Sequence, residues 1–233
     1  MQPGNEDSFI SRLTPDQLLG RQLNDIEKKY APKELYVKGI LPIPLPRPRV
    51  SIVGSRKASP NGLAAARLIT KALVKGGHVV IVSGLAEGID TSAHEEAIAS
   101  GGMTIAVLGT PLDKVYPAKN FLLQQRIMNG HLAISQFPAG HPITKTNFVI
   151  RNRTMALISD ATVIVEAGET SGSLHQGWET LRLGHSLFIW KDMFENKQLV
   201  WPQKMMEYGA IPLSDPLEVL EALPSPYDMP VLS

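Results

Sequence analysis

Three consecutive residues in the second half of the chain, Arg151, Asn152 and Arg153, place two fixed positive charges on either side of an amide. Arginine stays protonated in proteins, and its planar guanidinium matches the oxygens of a phosphate. An apolar helical pattern follows directly, and the N-terminus of a helix also attracts anions. The chemistry that this motif predicts is therefore the binding of an anion.

Glycine-containing turns follow several apolar runs, and such turns let backbone N–H groups approach an anion. One turn of this kind is structural in most proteins. When three such turns follow neighbouring parallel strands, they meet at one edge of the sheet. This is the edge where α/β proteins place their ligands. The residues of these turns that could contact a phosphate are Gly54, Ser55, Arg56, Ser83 and Gly84, and the third turn is Gly109 and Thr110.

Two further segments have a structural and a functional interpretation. Residues 113–120 combine Lys119 with Tyr116, a pairing suited to phosphates and bases, but Asn120 could instead cap the next helix. Ser171 and Ser173 could cap a helix, contact a phosphate, or do both. The sequence leaves both alternatives open.

Metal and catalytic motifs are absent from the sequence. There is no cysteine, and the six histidines lack the close spacing of metal ligands. The sequence contains no G-x-S-x-G elbow, and Glu166, Glu169 and Glu179 have no partner that would suggest acid–base catalysis. We therefore expect no metal, no cofactor and no catalytic residue.

Apolar runs alternate with helical patterns from Val50 to Trp190, which predicts a parallel sheet covered on both faces. The expected fold class is α/β, an extended Rossmann-like, doubly wound, mainly parallel sheet. A G-x-G-x-x-G motif is missing after the first strand, which argues against dinucleotide binding. Strands are predicted near 50–54, 78–83, 103–108, 131–135, 161–165 and 186–190, and helices near 60–75, 90–100, 119–129, 147–159, 172–183 and 216–223.

The flanks differ from this core in composition. Residues 1–46 are polar and then rich in proline, which predicts a short helix and an extended lead-in that serves as a tether outside the core. Residues 47–195 form the predicted core, and residues 196–233 a tail that packs on it. No apolar run approaches the roughly 20 residues that span a bilayer, and residues 1–7 lack a signal pattern, so we expect a soluble cytoplasmic protein.

Charge is distributed unevenly along the chain, although the formal net charge is only +1. Between residues 47 and 190 there are 14 Lys and Arg against 9 Asp and Glu. A basic core with acidic flanks favours a polyanionic partner for the core. An ordinary solvated surface is compatible with an excess of this size.

The ordered motifs of the core resemble the DprA/Smf DNA-processing proteins. The resemblance covers about residues 35–190, with natural spacing between motifs. The matching motifs are I-V-G-S-R at 52–56, S-G-L-A-x-G-I-D at 83–90, A-H at 93–94, G-G-x-T-I-A-V-L-G at 101–109, L-D-x-x-Y-P-x-x-N at 112–120, R-N-R at 151–153 and V-E-A-x-x-x-S-G-S-L at 165–174.

This resemblance implies a Rossmann-like protein that binds single-stranded DNA, forms a homodimer and loads the RecA recombinase, and it implies a binding protein rather than an enzyme. Arg56 is implied as the main phosphate contact, in one pocket with Arg151 and Arg153. The complete set predicted to bind DNA or phosphate is Gly54, Ser55, Arg56, Ser83, Gly84, Lys119, Asn120, Lys145, Arg151, Asn152, Arg153, Ser171 and Ser173.

Several positions depart from the family pattern. Glu87 stands where the family usually has Arg, and Val149 where it usually has Pro; Gln136, Phe137 and residues 175–178 differ as well. The flanks are too short for the additional domains of many members. Two alternatives therefore stay open: a nucleotide-binding or N-glycosidic-bond-hydrolysing protein of a related fold, and a component of a mobile element or defence system.

Overall fold

One mixed sheet of nine strands organises the protein, for which a computed structural model describes residues 10–223. The strand order is β1-β2-β6-β5-β4-β3-β7-β8-β9. The strands are β1 Ser11–Leu13, β2 Leu35–Gly39, β3 Arg49–Val53, β4 Val80–Ser83, β5 Thr104–Leu108, β6 Leu132–Ser135, β7 Ala161–Ile164, β8 Ser186–Trp190 and β9 Ile211–Leu213.

Helices cover both faces of the sheet. They are α1 Pro15–Leu19, α2 Asp25–Lys28, α3 Pro60–Gly77, α4 Ile89–Ala99, α5 Phe121–Gly130, α6 Lys145–Ile158, α7 Ser173–Arg182, α8 Asp192–Glu195, α9 Trp201–Met206 and α10 Glu218–Glu221. A short 3₁₀ helix, Ala118–Asn120, leads into α5. Between residues 10 and 223, none of these helices is both long and apolar enough to cross a membrane.

All strand pairs from β6 to β9 across the sheet are parallel, and β1 and β2 are antiparallel additions at the β6 edge. Successive side chains point to opposite faces, so Ile52 packs in the layer of α3 and α4, whereas Val53 packs in the layer that contains Met155 of α6 and Leu174 of α7. The predicted doubly wound, mainly parallel α/β fold is confirmed.

Local signals set the bounds of the helix after the first core strand, α3. Ser59 caps it by accepting a hydrogen bond from the N–H of Gly62, and Pro60 occupies its first turn. The sequence predicts an end before Gly76 and Gly77, but the helix continues through both and is capped by His78, which has a left-handed φ of 49°. A Cβ on Gly77 would come within 2.6 Å of Leu220, so this glycine allows α10 to pack closely.

The N-terminal flank is part of the sheet, and the expectation of a tether outside the core is wrong for residues 10–46. Leu18 of α1 and Leu35 of β2 are fully buried, and β2 pairs with β6 from Tyr36 opposite Ser135 to Gly39 opposite Leu132. The segment contains two strands, β1 of three residues and β2 of five, and both are too short to give a clear alternating pattern.

The C-terminal flank also contributes to the core. Strand β9 pairs with β8, and Leu213 of β9 and Val219 of α10 are fully buried. The helix predicted near 216–223 is observed as the shorter α10, and residues 224–233 lie outside the described part of the chain. The division into 1–46, 47–195 and 196–233 stays a prediction.

Candidate nucleic-acid interface

A cavity of about 660 Å³ lies at the carboxyl edge of the sheet. Its lining comes from the loops that follow β3, β4 and β7, from Tyr116, and from α6 and the start of α7. A regularly spaced stripe of α6 faces it, because residues three and four apart share one face of a helix. This stripe consists of Lys145, Phe148, Val149, Asn152 and Met155.

Eight of the predicted residues line this cavity, and five do not. The eight that line it are Gly54, Ser55, Arg56, Lys145, Arg151, Asn152, Ser171 and Ser173. The five that lie elsewhere are Ser83, Gly84, Lys119, Asn120 and Arg153. The contacts of each group explain the difference.

Arg56 and two aromatic rings form an open platform at the cavity. The Cζ atom of Arg56 lies 5.4 Å from the ring centroid of Phe148, whose centroid is 5.2 Å from that of Tyr116. Arg56 is exposed and makes no ion pair with any residue between 10 and 223. Phe148 is half-buried and Tyr116 is exposed, so a guanidinium beside these rings can hold a phosphate while a base stacks next to it.

Glycines make room for this platform. A Cβ on Gly109 would come within 2.5 Å of the Phe148 ring, so the turn after β5 needs glycine for the ring to lie there. A Cβ on Gly54 would come within 2.7 Å of the Glu166 carbonyl oxygen, to which the N–H of Ser55 donates a hydrogen bond of 2.7 Å. The backbone before Arg56 is therefore fixed against the end of β7.

Arg151 has a different role from Arg56. It lies in the second turn of α6, not ahead of the helix, and only 5% of it is exposed. Its guanidinium donates hydrogen bonds to the carbonyl oxygens of Gly84 and Val107, at the ends of β4 and β5. Burial lowers its pKa to about 10, although the nearby Asp90 opposes that shift. Arg151 therefore braces the strand ends beneath the cavity.

The loop after β4 is filled by a carboxylate of the chain itself. Asp90 accepts hydrogen bonds from the N–H groups of Gly84, at 3.1 Å, and Ala86, at 3.3 Å. Burial raises the pKa of Asp90, and the charge of Arg151 lowers it. These two N–H groups are thus occupied, so this part of the loop does not offer them to an external phosphate.

Ser83 and Gly84 support this internal arrangement. The hydroxyl of Ser83 donates to the carbonyl oxygen of Ile52 at 2.7 Å, and Ser83 is fully buried. A Cβ on Gly84 would overlap the guanidinium of Arg151. The structure therefore places both residues below the cavity, in the framework that holds it.

Lys119 and Asn120 lie beside the cavity and bind the same loop. The Asn120 side-chain amide donates to the carbonyl oxygen of Leu85 and to the hydroxyl of Thr91, both at 2.9 Å, and it does not cap α5. Lys119 forms an ion pair of 2.7 Å with Glu87. The family departure at position 87 thus offsets a positive charge near the cavity.

The start of α7 faces the cavity without a side-chain cap. Its N-cap residue is Gly172, whose carbonyl oxygen accepts a hydrogen bond from the side chain of Asn152 at 2.9 Å. The hydroxyls of Ser171 and Ser173 lie 2.8 Å apart and bond to each other rather than to the helix end. The capping alternative is therefore wrong. The N–H groups of Leu174 and His175 donate to the carbonyl oxygens of Ser171 and Gly172, both at 3.2 Å, so this helix end favours an anion through its dipole and the hydroxyls of Ser171 and Ser173.

Arg153 points away from the cavity. Its Cζ atom lies 4.4 Å from the ring centroid of Tyr30, in the N-terminal flank. Residues two apart on a helix are about 200° apart around its axis, so Arg153 cannot share the face of Arg151. The prediction that one pocket holds Arg56, Arg151 and Arg153 is wrong for Arg153.

Lys57 and Gln176 line the cavity but are absent from the predicted set. Lys57 directly follows Arg56 and is exposed, so its position in the turn was a usable signal. Gln176 follows Ser173 by three residues and therefore shares its face of α7. Within residues 10–223, no group of three or more His, Cys, Asp or Glu side chains could hold a metal ion.

A family model described as DNA recombination-mediator protein A matches residues 13–224. The chain is 41% identical over 165 residues to the DNA processing protein DprA of Streptococcus pneumoniae, which covers 70% of this chain and 57% of that protein. It is 30% identical over 193 residues to the Bacillus subtilis protein of the same name, covering 83% of this chain and 65% of that one. The chain thus matches less than two thirds of either relative.

Two solved structures share this fold over more than nine tenths of the chain. The X-ray structure of DNA processing protein A from Streptococcus pneumoniae superposes with a TM-score of 0.77 and 30% identity, covering 93% of this chain and 75% of that one. DNA processing protein A from Helicobacter pylori, described for its single-stranded DNA binding mode, gives a TM-score of 0.70 and 25% identity over 91% of this chain and 94% of that one.

Proposed function

This chain belongs to the DNA recombination-mediator protein A family, and on that premise we propose that its cavity binds single-stranded DNA. The observation that carries the proposal is the platform of Arg56, Phe148 and Tyr116, in which a cation with no ion pair among residues 10–223 lies beside two aromatic rings. Proteins that bind single strands without sequence preference combine these two features. The single-strand binding described for the Helicobacter pylori relative supports the same interpretation.

Phosphates bind the cations and the helix end around the platform. Arg56, Lys57 and Lys145 are exposed and line the cavity, as does Gly172 at the start of α7. Tyr116 and Phe148 line the same cavity, so a phosphate and the base next to it can be held together. Charge-assisted contacts to phosphate supply the affinity.

Stacking on Phe148 favours a single strand over a duplex. In a duplex the faces of the bases are covered by their neighbours, whereas the bases of a single strand can be splayed onto an aromatic side chain. Tyr116, which is 46% exposed, extends the surface available to a second base. The cavity therefore discriminates by the availability of base faces, not by base sequence.

We further propose a role in DNA recombination or natural transformation, in the cytoplasm, as a homodimer that loads a RecA-type recombinase. The protein acts by binding and not by catalysis, since Asp90, the carboxylate that lines the cavity, is committed to backbone N–H groups. The family description, DNA recombination-mediator protein A, supports the role in recombination. The division of the chain at residues 46/47 and 195/196 belongs to the same proposal.

A mononucleotide is a second candidate ligand, because a cavity of about 660 Å³ is within the size range of small-molecule sites. Fluorescence anisotropy with a labelled oligothymidylate, a duplex and competing nucleotides over a salt series separates the candidates. We expect single strands to bind tightest, with a slope of log K against log salt of about −0.7 per phosphate contact. A flat salt response, or full competition by a mononucleotide, contradicts strand binding.

A further inference from the structure

A second cluster of cations surrounds an aromatic ring outside the cavity. The Cζ atoms of Arg153 and Arg182 lie 4.4 Å and 4.8 Å from the ring centroid of Tyr30, and the Nζ atom of Lys29 lies 5.3 Å from it. These four residues, here called the Tyr30 patch, come from α6, α7 and the segment that follows α2. Tyr30 is 39% exposed, so the patch reaches the surface.

The cations of the patch are only partly neutralised. Arg182 is paired with Glu179, whose Oε2 accepts from its Nε at 2.9 Å, and it also donates to the carbonyl oxygen of Ile26. Arg153 and Lys29 form no ion pair with any residue between 10 and 223. Two positive charges are therefore left for an external anion.

Stacking on Tyr30 prepares the guanidinium of Arg153 for such an anion. The interaction with an aromatic ring uses the face of the guanidinium plane and leaves its N–H donors at the edge available. A phosphate needs those edge donors in a fixed orientation. Tyr30 thus acts as a positioning residue, and Arg153 as the group that would contact phosphate.

The Tyr30 patch is connected to the cavity through two helices. Asn152 of α6 lines the cavity, and Arg153 is the next residue. Ser173 at the start of α7 lines the cavity, and Arg182 at its other end lies nine residues further on, a rise of about 14 Å. That distance corresponds to about four nucleotides at the 3.4 Å spacing of one duplex strand, and to fewer in an extended strand.

We propose that the Tyr30 patch is a second phosphate contact for the single strand that occupies the cavity, so this inference rests on the proposed function. A strand that leaves the cavity along α7 reaches Arg153 and Lys29 after a few nucleotides. The partner is the same polyanion because the two sites are adjacent on one pair of packed helices. Binding then depends on length beyond what the cavity alone requires.

Anisotropy titrations with a length series of oligothymidylates, from about 4 to about 20 nucleotides, test this proposal by exploiting the salt dependence of each contact. The variants are Arg153→Ala, Arg153→Gln and Tyr30→Leu, with Tyr30→Phe as the conservative replacement. Arg67→Ala is the matched control, an exposed arginine on α3, on the opposite face of the sheet. Thermal melting of every variant shows whether it is folded.

For the longer oligonucleotides we expect Arg153→Ala and Arg153→Gln to weaken binding by about fivefold to tenfold and to reduce the salt slope by about 0.7. Binding of the shortest bound oligonucleotide should match wild type. Tyr30→Leu should also weaken binding of the longer oligonucleotides, but by less than Arg153→Ala does. Tyr30→Phe and Arg67→Ala should bind all lengths as wild type does.

Equal affinities of folded Arg153→Ala, Arg153→Gln and wild type at all lengths overturn the proposal, because the patch is then only a brace for the N-terminal flank. An equal loss at all lengths also overturns it, since Arg153 then acts on the cavity. Failure of the proposed function has a separate signature, in which wild type itself binds no single strand of any length.

Discussion

Two glycine-containing turns at the same edge of the sheet look alike in sequence and differ in what they do. The turn after β3 is tied down through its backbone and leaves the Arg56 side chain exposed beside Phe148. The turn after β4 binds Asp90 with its own N–H groups and receives the buried Arg151 from α6. A glycine-rich turn is therefore a phosphate site only where the chain has not already filled it with an anion.

Arg151→Ala gives the largest expected effect and disrupts the turn after β4, which is filled by residues of the chain itself. The substitution removes the charge that offsets the burial of Asp90, and each buried acceptor that loses its donor typically costs about 1–3 kcal/mol. The carbonyl oxygens of Gly84 and Val107 also lose their donor. Chemical denaturation measures the free energy of unfolding, with the exposed Arg126→Ala as control.

The sequence alone predicts the opposite result for Arg151→Ala, a folded protein that fails to bind DNA. If this variant unfolds with wild-type stability and binds weakly, Arg151 contacts the ligand directly. The brace described above would then be wrong.

Arg56→Ala removes the exposed cation of the turn after β3. Losing a charge-assisted contact typically costs about 1.5–3 kcal/mol, which weakens binding about tenfold to hundredfold. We expect the free energy of unfolding to stay within about 0.5 kcal/mol of wild type, because Arg56 is exposed and unpaired among residues 10–223. Titration and denaturation of one preparation test both expectations, and Arg56→Lys should retain part of the affinity.

A pH series tests the packing next to the turn after β4, through the fully buried His94 of α4. Burial lowers its pKa from the ordinary 6.5 to about 3, with smaller contributions from the charges of His131 and Arg151. Between these values the unfolded chain binds a proton that the folded chain does not, so acid favours unfolding. This group should reduce stability by about 1.4 kcal/mol per pH unit as pH falls below 6.5.

Denaturation between pH 7 and pH 5 measures that slope. His94→Gln has no titrating ring and should give a shallower dependence of stability on pH, whatever its absolute stability. An unchanged slope in this variant means that His94 is not the group responsible.

Glu87→Arg should produce the smallest effect. It removes the ion pair with Lys119 and adds a cation beside the cavity, and exposed pairs of this kind are worth about 0.2–1 kcal/mol. We expect a gain in single-strand affinity of about twofold to fivefold that disappears at high salt. Glu87→Gln should give a smaller gain, and no gain in either variant would show that position 87 lies off the path of the strand.

The sequence predicts the parts of this structure that depend on local patterns. Runs such as residues 50–53 end where strands end, so the edge that carries Arg56 could be located. The burial of Arg151 and its contact with Gly84, 67 positions earlier in the chain, depend on the packing of α6 over β3 and β5. That packing has no local signal in the sequence.

Long-range placement also explains the other errors. The contact of Arg153 with Tyr30 joins α6 to a flank expected to lie outside the core, and the filling of the turn at Gly84 by Asp90 needs a loop geometry that the motif alone does not reveal. Predicting which face of a helix points to a ligand requires the helix bounds and the neighbouring elements together.

One paired measurement tests the central claim most directly: the single-strand affinity of Arg56→Ala against that of Lys119→Ala. Both side chains are exposed cations near the same sheet edge. Arg56 lies on the aromatic platform without an ion pair in the described part of the chain, whereas Lys119 is paired with Glu87 outside the cavity. We predict a loss of at least about tenfold for Arg56→Ala and less than about threefold for Lys119→Ala. Equal losses, or a larger loss for Lys119→Ala, would contradict the account.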